Sequence, residues 1–69
     1  MTFEEYMEAI SNVHNQLQAI ADRTANQAIL GIADQSNPSF VEIMRRHAQL
    51  TKLSSELTEW MISQMKVAV

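Results

Sequence analysis

The single proline of this chain, Pro38, lies between two long stretches in which apolar residues recur at helical spacing. Because a residue that precedes proline is disfavoured in the α region, a continuous helix through Asn37 is not expected. Gly31, the single glycine, offers a helix stop shortly before it. The sequence therefore predicts an all-α chain whose first helix spans about 3–31 and whose second spans about 39–66.

The turn between the helices is predicted at about 32–38, and two residues are candidates for the cap of the second helix. Asn37 can cap a helix that begins at Pro38, since proline is well tolerated at the first helical position. Alternatively, Ser39 and Glu42 can form a capping box. Both interpretations place the reversal of the chain at Asn37, Pro38 and Ser39.

The first helix has a clear start and a regular apolar seam. Thr2 and Glu5 have the spacing of a capping box. The seam then recurs at steps of three and four, as in a heptad pattern, through Phe3, Tyr6, Ile10, Val13, Leu17 and Ile20. Beyond Ile20 the same frame falls on the polar residues Thr24 and Gln27, so the sequence predicts that the apolar line shifts to Ala21, Ala25, Ala28 and Ile32.

The second helix carries its apolar residues at mostly helical spacing, at Phe40, Ile43, Leu50, Leu53, Leu57, Trp60, Met61 and Met65. Two helices of similar length joined by a short turn form an antiparallel hairpin. A hairpin covers one stripe per helix, and here both helices are apolar on more than one side. The residues expected to contact other subunits or partners are Phe3, Tyr6, Ile10, Val13, Leu17, Ala21, Ala25, Phe40, Met44, Leu50, Leu57, Trp60, Met61 and Met65.

Length and composition also favour oligomerisation. The 69 residues form one helical-hairpin domain, residues 1–69, and a domain of this size is marginally stable alone. Without cysteine, disulfides cannot stabilise it, so partner chains are the expected source of stability. Residues 1–34 carry a net charge of −4 and residues 35–69 a net charge of +1. This asymmetry suits contacts between copies, although scattered solvated charges explain it equally well.

Residues suited to chemistry are sparse. No nucleophile, metal-binding motif or glycine-rich phosphate loop stands out, so no enzyme activity, metal or cofactor is expected. Arg45, Arg46 and His47 form the one basic cluster, a possible polar contact face. Overall acidity makes nucleic acid an unexpected partner. No stretch is apolar for the roughly 20 residues that a membrane-spanning helix needs, and the acidic residues 1–10 do not predict a secretory signal.

Residues 37–66 resemble the needle and inner-rod subunits of bacterial type III secretion systems. Asn37 and Pro38 match the turn of that family, Gln49 and Leu50 match the middle of its second helix, and the match at the end of that helix consists of Met61, Ile62, Met65 and Lys66. The resemblance implies hairpins stacked around a narrow channel, with the second helix toward the lumen, through which unfolded proteins are exported.

Two functions are therefore expected from the sequence. The first is a structural subunit that self-assembles into a filament, as in a secretion needle or rod, with other secretion-apparatus proteins or a chaperone as further partners. The alternative is a small dimeric four-helix-bundle adaptor, regulator or chaperone that binds protein or RNA. The first implies a secreted or cell-surface location reached without a cleavable signal, and the second a cytoplasmic one.

Overall fold

The computed structural model describes the backbone of residues 1–68 and the side chains of residues 1–66, and it confirms the predicted helical hairpin. Helix α1 spans Phe3–Ile29 and helix α2 spans Pro38–Ala68. The pair measures 50 × 17 × 15 Å, so it is a rod about three times longer than wide. Helix α1 ends two residues before the expected boundary, and α2 begins one residue earlier and extends further than expected.

The start of α1 is fixed by the predicted capping box. The hydroxyl of Thr2 accepts a hydrogen bond from the Glu5 backbone N–H at 3.1 Å, and the Glu5 carboxylate accepts one from the Thr2 backbone N–H at 3.1 Å. Two of the backbone donors that a helix start leaves unpaired are thereby satisfied. The Thr2 backbone N–H, and to a smaller extent the Thr2 hydroxyl, favour the ionised Glu5 carboxylate and lower its pKa.

The end of α1 is set by Gly31, whose φ of +73° lies in the left-handed region. The Ile32 N–H donates to the Gln27 carbonyl at 2.9 Å, and the Gly31 N–H donates to the Ala28 carbonyl at 3.1 Å. This pair of bonds is the Schellman motif, which satisfies the last carbonyls of a helix. Glycine suits the position because it has no Cβ to disfavour a positive φ.

Asn37 supplies the cap of α2, which resolves the two alternatives left by the sequence. Its side-chain oxygen accepts from the Ser39 N–H at 3.1 Å, and its side-chain nitrogen donates to the Ile32 carbonyl at 3.0 Å. The same side chain thus begins α2 and ties it to the end of α1. Glu42 pairs with Arg45 at 3.3 Å and makes no capping box with Ser39.

A second polar residue shapes the turn before Asn37. The Asp34 carboxylate accepts hydrogen bonds from the Ser36 hydroxyl and from the Ser36 backbone N–H, the latter at 2.8 Å. Both bonds favour the ionised carboxylate, so they lower the pKa of Asp34, the hydroxyl having the larger effect. An aspartate bonded to the chain two residues ahead is a common way to hold a tight turn.

Replacing Asn37 with alanine is expected to lower the free energy of unfolding by about 1 kcal/mol, as for other N-cap replacements. The loss removes both the cap and the tie to Ile32. Urea unfolding followed by circular dichroism measures it. Gln35→Ala is the matched control, since Gln35 lies exposed in the same turn. Equal stability of the two variants would contradict the capping role.

The core of the hairpin is small and lies between the two helices. Its buried residues are Val13 and Ile20 of α1 with Leu50 and Leu57 of α2. Partly buried apolar residues pack against this cluster, namely Tyr6, Ala9, Ile10, Leu17 and Ile43. At the end of the hairpin away from the turn, the rings of Tyr6 and Trp60 stack with their centroids 5.6 Å apart.

The predicted shift of the α1 seam after Ile20 is wrong. Thr24 and Gln27 are the half-buried residues that continue toward the turn, whereas Ala21, Ala25 and Ala28 are exposed. The Thr24 hydroxyl donates to the Ile20 carbonyl at 3.0 Å, so it can lie at the seam without an unpaired donor. Alanine buries too little apolar area to rotate the helix away from this arrangement.

Two residues of α2 expected on its apolar line also lie outside the core. Leu53 is 42% exposed and Met65 is 61% exposed. The line that faces α1 runs through Ile43, Leu50 and Leu57 at steps of seven. Leu53 and Met65 fall off this line, on either side of it.

Candidate assembly surface

Closing the hairpin leaves many large apolar side chains exposed. Those with more than a third of their surface accessible are Met1, Phe3, Met7, Ile29, Leu30, Ile32, Val41, Met44, Leu53, Ile62 and Met65. Scattered exposed apolar residues are ordinary on a protein surface, whereas a contiguous group marks an interaction site. Their arrangement around the two helices therefore decides whether they form an interaction site.

One flank of each helix carries no charge along its whole length. With 3.6 residues per turn, positions at steps of three and four share a flank. On α1 this flank consists of Phe3, Met7, Ile10, His14, Gln18, Ala21, Ala25 and Ala28. On α2 it consists of Phe40, Met44, Ala48, Thr51, Ser55, Thr58, Ile62 and Met65. None of these positions holds Asp, Glu, Lys or Arg.

The two uncharged flanks lie on the same side of the hairpin. In an antiparallel pair of right-handed helices, the residues that directly follow the core positions point to one common side. His14 follows the buried Val13, and Thr51 follows the buried Leu50, so both flanks meet there. We call this surface, made of the two flanks, the uncharged face.

On α2 the large side chains of the uncharged face lie near both ends, with Phe40 and Met44 close to the turn, but on α1 they are confined to the end of the hairpin away from the turn. There Phe3 is 62%, Met7 48%, Ile62 47% and Met65 61% exposed. Toward the turn, α1 presents only alanine methyl groups on this face, at Ala21, Ala25 and Ala28, which are exposed. The face thus has a bulky end and an end where α1 is nearly bare backbone.

The polar residues of the uncharged face are suited to burial. The Thr51 hydroxyl donates to the His47 carbonyl, and the Thr58 hydroxyl donates to the Ser54 carbonyl, each at 2.9 Å. Because each donor is already bonded to its own helix, covering these threonines does not leave it unpaired. A helix packed over them would displace water without breaking a hydrogen bond of either hydroxyl.

The opposite side of the hairpin carries much of the charge. There an Arg46 side-chain N–H donates to the Gln16 side-chain oxygen at 2.6 Å, a hydrogen bond that joins the two helices. Gln16 lies three residues after the buried Val13 and Arg46 four residues before the buried Leu50, on the flanks away from His14 and Thr51, so the bond confirms which flanks share a side. Charged and uncharged surfaces are therefore segregated across the hairpin.

The structure does not bring the basic trio together on one face. Arg45, Arg46 and His47 are exposed, but consecutive helical residues point in different directions. Arg45 forms an ion pair with Glu42, and Arg46 bonds to Gln16. Arg45 and Arg46 thus have partners within the chain.

A second apolar surface lies at the turn. Ile29 is 82% exposed, Leu30 71% and Ile32 44%. These three residues, which we call the turn patch, surround Gly31 at the end of α1. They project from the narrow end of the rod, away from the bulky end of the uncharged face.

The expected contact residues divide into three groups by their place in the structure. Val13, Leu50 and Leu57 form the core of the hairpin itself, with 3% of each exposed. Half-buried residues line the junction of the helices, namely Tyr6, Ile10, Leu17, Phe40, Trp60 and Met61. The exposed members are Phe3, Ala21, Ala25, Met44 and Met65, and all five lie on the uncharged face.

Other residues of this face, such as His14, Thr51, Ser55 and Thr58, were not among the expected contacts. The α2 residues of this group are identified by what they lack. They occupy a line of positions at steps of three and four in which no residue is charged. A search for apolar residues alone passes over it because its centre is built of threonine and serine.

Among the residues described, no cluster of three or more His, Cys, Asp or Glu side chains is placed to hold a metal ion. Neither helix, over its described residues, is long and apolar enough to cross a membrane. No family model matches the sequence, and no curated protein or solved structure matches it.

Proposed function

We propose that this chain is a structural subunit that self-assembles by covering its uncharged face with neighbouring copies. The observation that carries the proposal is the segregation of charge, which leaves one side of a 50 Å rod without Asp, Glu, Lys or Arg and with large apolar groups exposed. Exposed apolar side chains grouped on one surface mark an interaction site.

The size of the uncharged face supports a specific contact. A face of 50 by 17 Å outlines about 850 Å², and a stable interface buries about 800 Å² on each partner. Among the residues whose side chains are described, four are buried in the core of the hairpin, so the burial of a second layer would add a large share of its apolar stabilisation. Assembly and folding are therefore coupled in this proposal.

The turn patch supports an open-ended assembly. A subunit with two separate contact surfaces can propagate, and a contact that does not close on itself generates a filament. Ile29, Leu30 and Ile32 give this chain a second surface at the end of the rod. The more specific form of the proposal, a type III secretion needle or rod subunit forming an export conduit, rests on the resemblance of residues 37–66.

A closed four-helix bundle is the second candidate, and the continuity of the uncharged face favours it. Two hairpins that cover each other through this face form a bundle of four helices, a common architecture of small adaptors and regulators. In this form the turn patch would be free for a protein partner. Both candidates use the same face, and they differ in whether growth stops at two chains.

Sedimentation velocity over a wide concentration series, with electron microscopy of the most concentrated samples, tests the proposal. The filament form predicts a mass that grows with concentration and visible fibres. The closed bundle predicts a fixed dimer that dissociates on dilution. A well-folded monomer at every concentration would overturn self-assembly in both forms.

A further inference from the structure

We propose that the uncharged face binds the same face of a second copy in the antiparallel direction. In this pair α1 of one copy packs on α1 of the other, with Phe3, Met7 and Ile10 of each copy covering the alanines of its partner. The inference rests on the proposed self-assembly and adds the partner's orientation. It is carried by the order of side-chain sizes along α1.

The uncharged flank of α1 is large in its first half and small in its second half. The large residues, Phe3, Met7 and Ile10, follow one another at steps of four and three. The small residues Ala21, Ala25 and Ala28 are also separated by four and three. Turning a second copy end over end about the middle of α1 places the two groups opposite each other. Each large residue then meets an alanine, in the order Phe3 on Ala28, Met7 on Ala25 and Ile10 on Ala21.

The exposure of these residues supports the pairing. Phe3 is 62% and Met7 48% exposed, and Ala21, Ala25 and Ala28 lie open to solvent. An alanine surface allows a second helix to approach closely, and large side chains opposite small ones fill the space between helices without overlap. The hairpin thus presents both halves of a complementary surface on one helix.

On the flank of α2, large residues also face small residues of the second copy. End-over-end rotation brings Met44 near Ser55 of the second copy and Phe40 near Thr58. Each of these pairs again combines a large residue with a small one. All four helices then run antiparallel to their neighbours, so their dipoles are arranged favourably, and no ionised side chain of the uncharged flanks enters the contact.

In the alternative, like-directed pair, the turns of both copies lie at the same end of the bundle. This pair packs less evenly. It would bring the bulky ends of both copies together, so that Phe3 and Met7 of one copy oppose Ile62 and Met65 of the other. These four residues are the large exposed side chains of that end. Such a pair would crowd large side chains together at that end, whereas the antiparallel pair sets them opposite alanines, and overpacking of this kind is unfavourable.

Disulfide trapping with single-cysteine variants tests the orientation, and the chain offers no background because it has no cysteine of its own. Met7→Cys and Ala25→Cys are prepared separately, mixed and oxidised mildly. A disulfide needs Cβ atoms about 4 Å apart, so we expect the mixture to give several-fold more cross-linked dimer than either variant alone. Glu8→Cys mixed with Asn26→Cys is the matched control, because each residue directly follows one of the tested pair and points away from the face.

The outcomes separate this inference from the proposed function. Cross-linking of Met7→Cys with Thr58→Cys, at the expense of Met7→Cys with Ala25→Cys, would establish the like-directed pair and overturn the antiparallel one. Association in sedimentation without selective cross-linking at Ala25 would also overturn it, while self-assembly would stand. Absence of any association in sedimentation would remove self-assembly itself. Circular dichroism of each variant verifies that the helices are intact.

Discussion

Replacing Leu50 with alanine is expected to lower the free energy of unfolding by about 2–5 kcal/mol, the range found for buried leucines. Leu50 is 3% exposed and is one of four buried residues, so the cavity would lie in the centre of the hairpin. A domain of this size has a total stability of only about 3–10 kcal/mol. The variant should therefore lose a large fraction of the total stability of the hairpin, as measured by circular dichroism and urea titration.

Leu53→Ala is the control for this prediction, because it removes the same atoms from the same helix. Leu53 is 42% exposed, so a large part of its side chain stays in contact with water in the hairpin. We expect a smaller loss of about 1 kcal/mol, since the transfer free energy is only partly realised at such a site. If the two variants lost equal stability at low protein concentration, the position of the core would be wrong.

Replacing Ala25 with glutamate is expected to abolish self-association while leaving the helices intact. Ala25 is exposed in the hairpin, so the new carboxylate is solvated in the single chain. In an assembly built on the uncharged face it would be covered, and that face carries no Lys or Arg to pair with it. An unpaired charge in such a contact costs several kcal/mol. Sedimentation equilibrium should show the association constant reduced by about 100-fold or more, since each 1.4 kcal/mol is a factor of ten.

Asn26→Glu adds the same charge one residue further along α1, on the outer side of the helix. Asn26 is also exposed, and both variants raise the negative charge of α1 equally. We expect Asn26→Glu to associate as the unsubstituted chain does. A comparable loss of association in both variants would mean that net charge controls assembly, and the uncharged face would lose its assigned role.

The elements of the fold were predictable because local rules determine them. Pro38 and Gly31 mark a chain reversal by their backbone preferences, and the Thr2 and Glu5 spacing defines a helix start. The alternation of threes and fours from Tyr6 to Ile20 identifies the inward side of α1. None of these inferences depends on where the other helix lies.

Two features could not be predicted because they depend on how the helices pack against each other. These are the continuation of the α1 seam beyond Ile20 and the composition of the uncharged face. A hydroxyl is costly at a buried site, so the sequence pattern marks Thr24 as an interruption of the apolar seam of α1. The hydrogen bond from Thr24 to the Ile20 carbonyl removes that cost. For the same reason, the sequence pattern does not identify Thr51 and Thr58 as members of a contact face. That the uncharged flanks of α1 and α2 share a side follows only once the helices are known to be antiparallel.

The stack of Tyr6 on Trp60 gives the molecule a built-in optical probe. Trp60 is the sole tryptophan, and its ring lies 5.6 Å from that of Tyr6 at the end of the rod farthest from the turn. Local opening of a helix pair does not require the whole fold to unfold. Indole emission therefore reports contact between the two helices at the end opposite the turn, without any added dye.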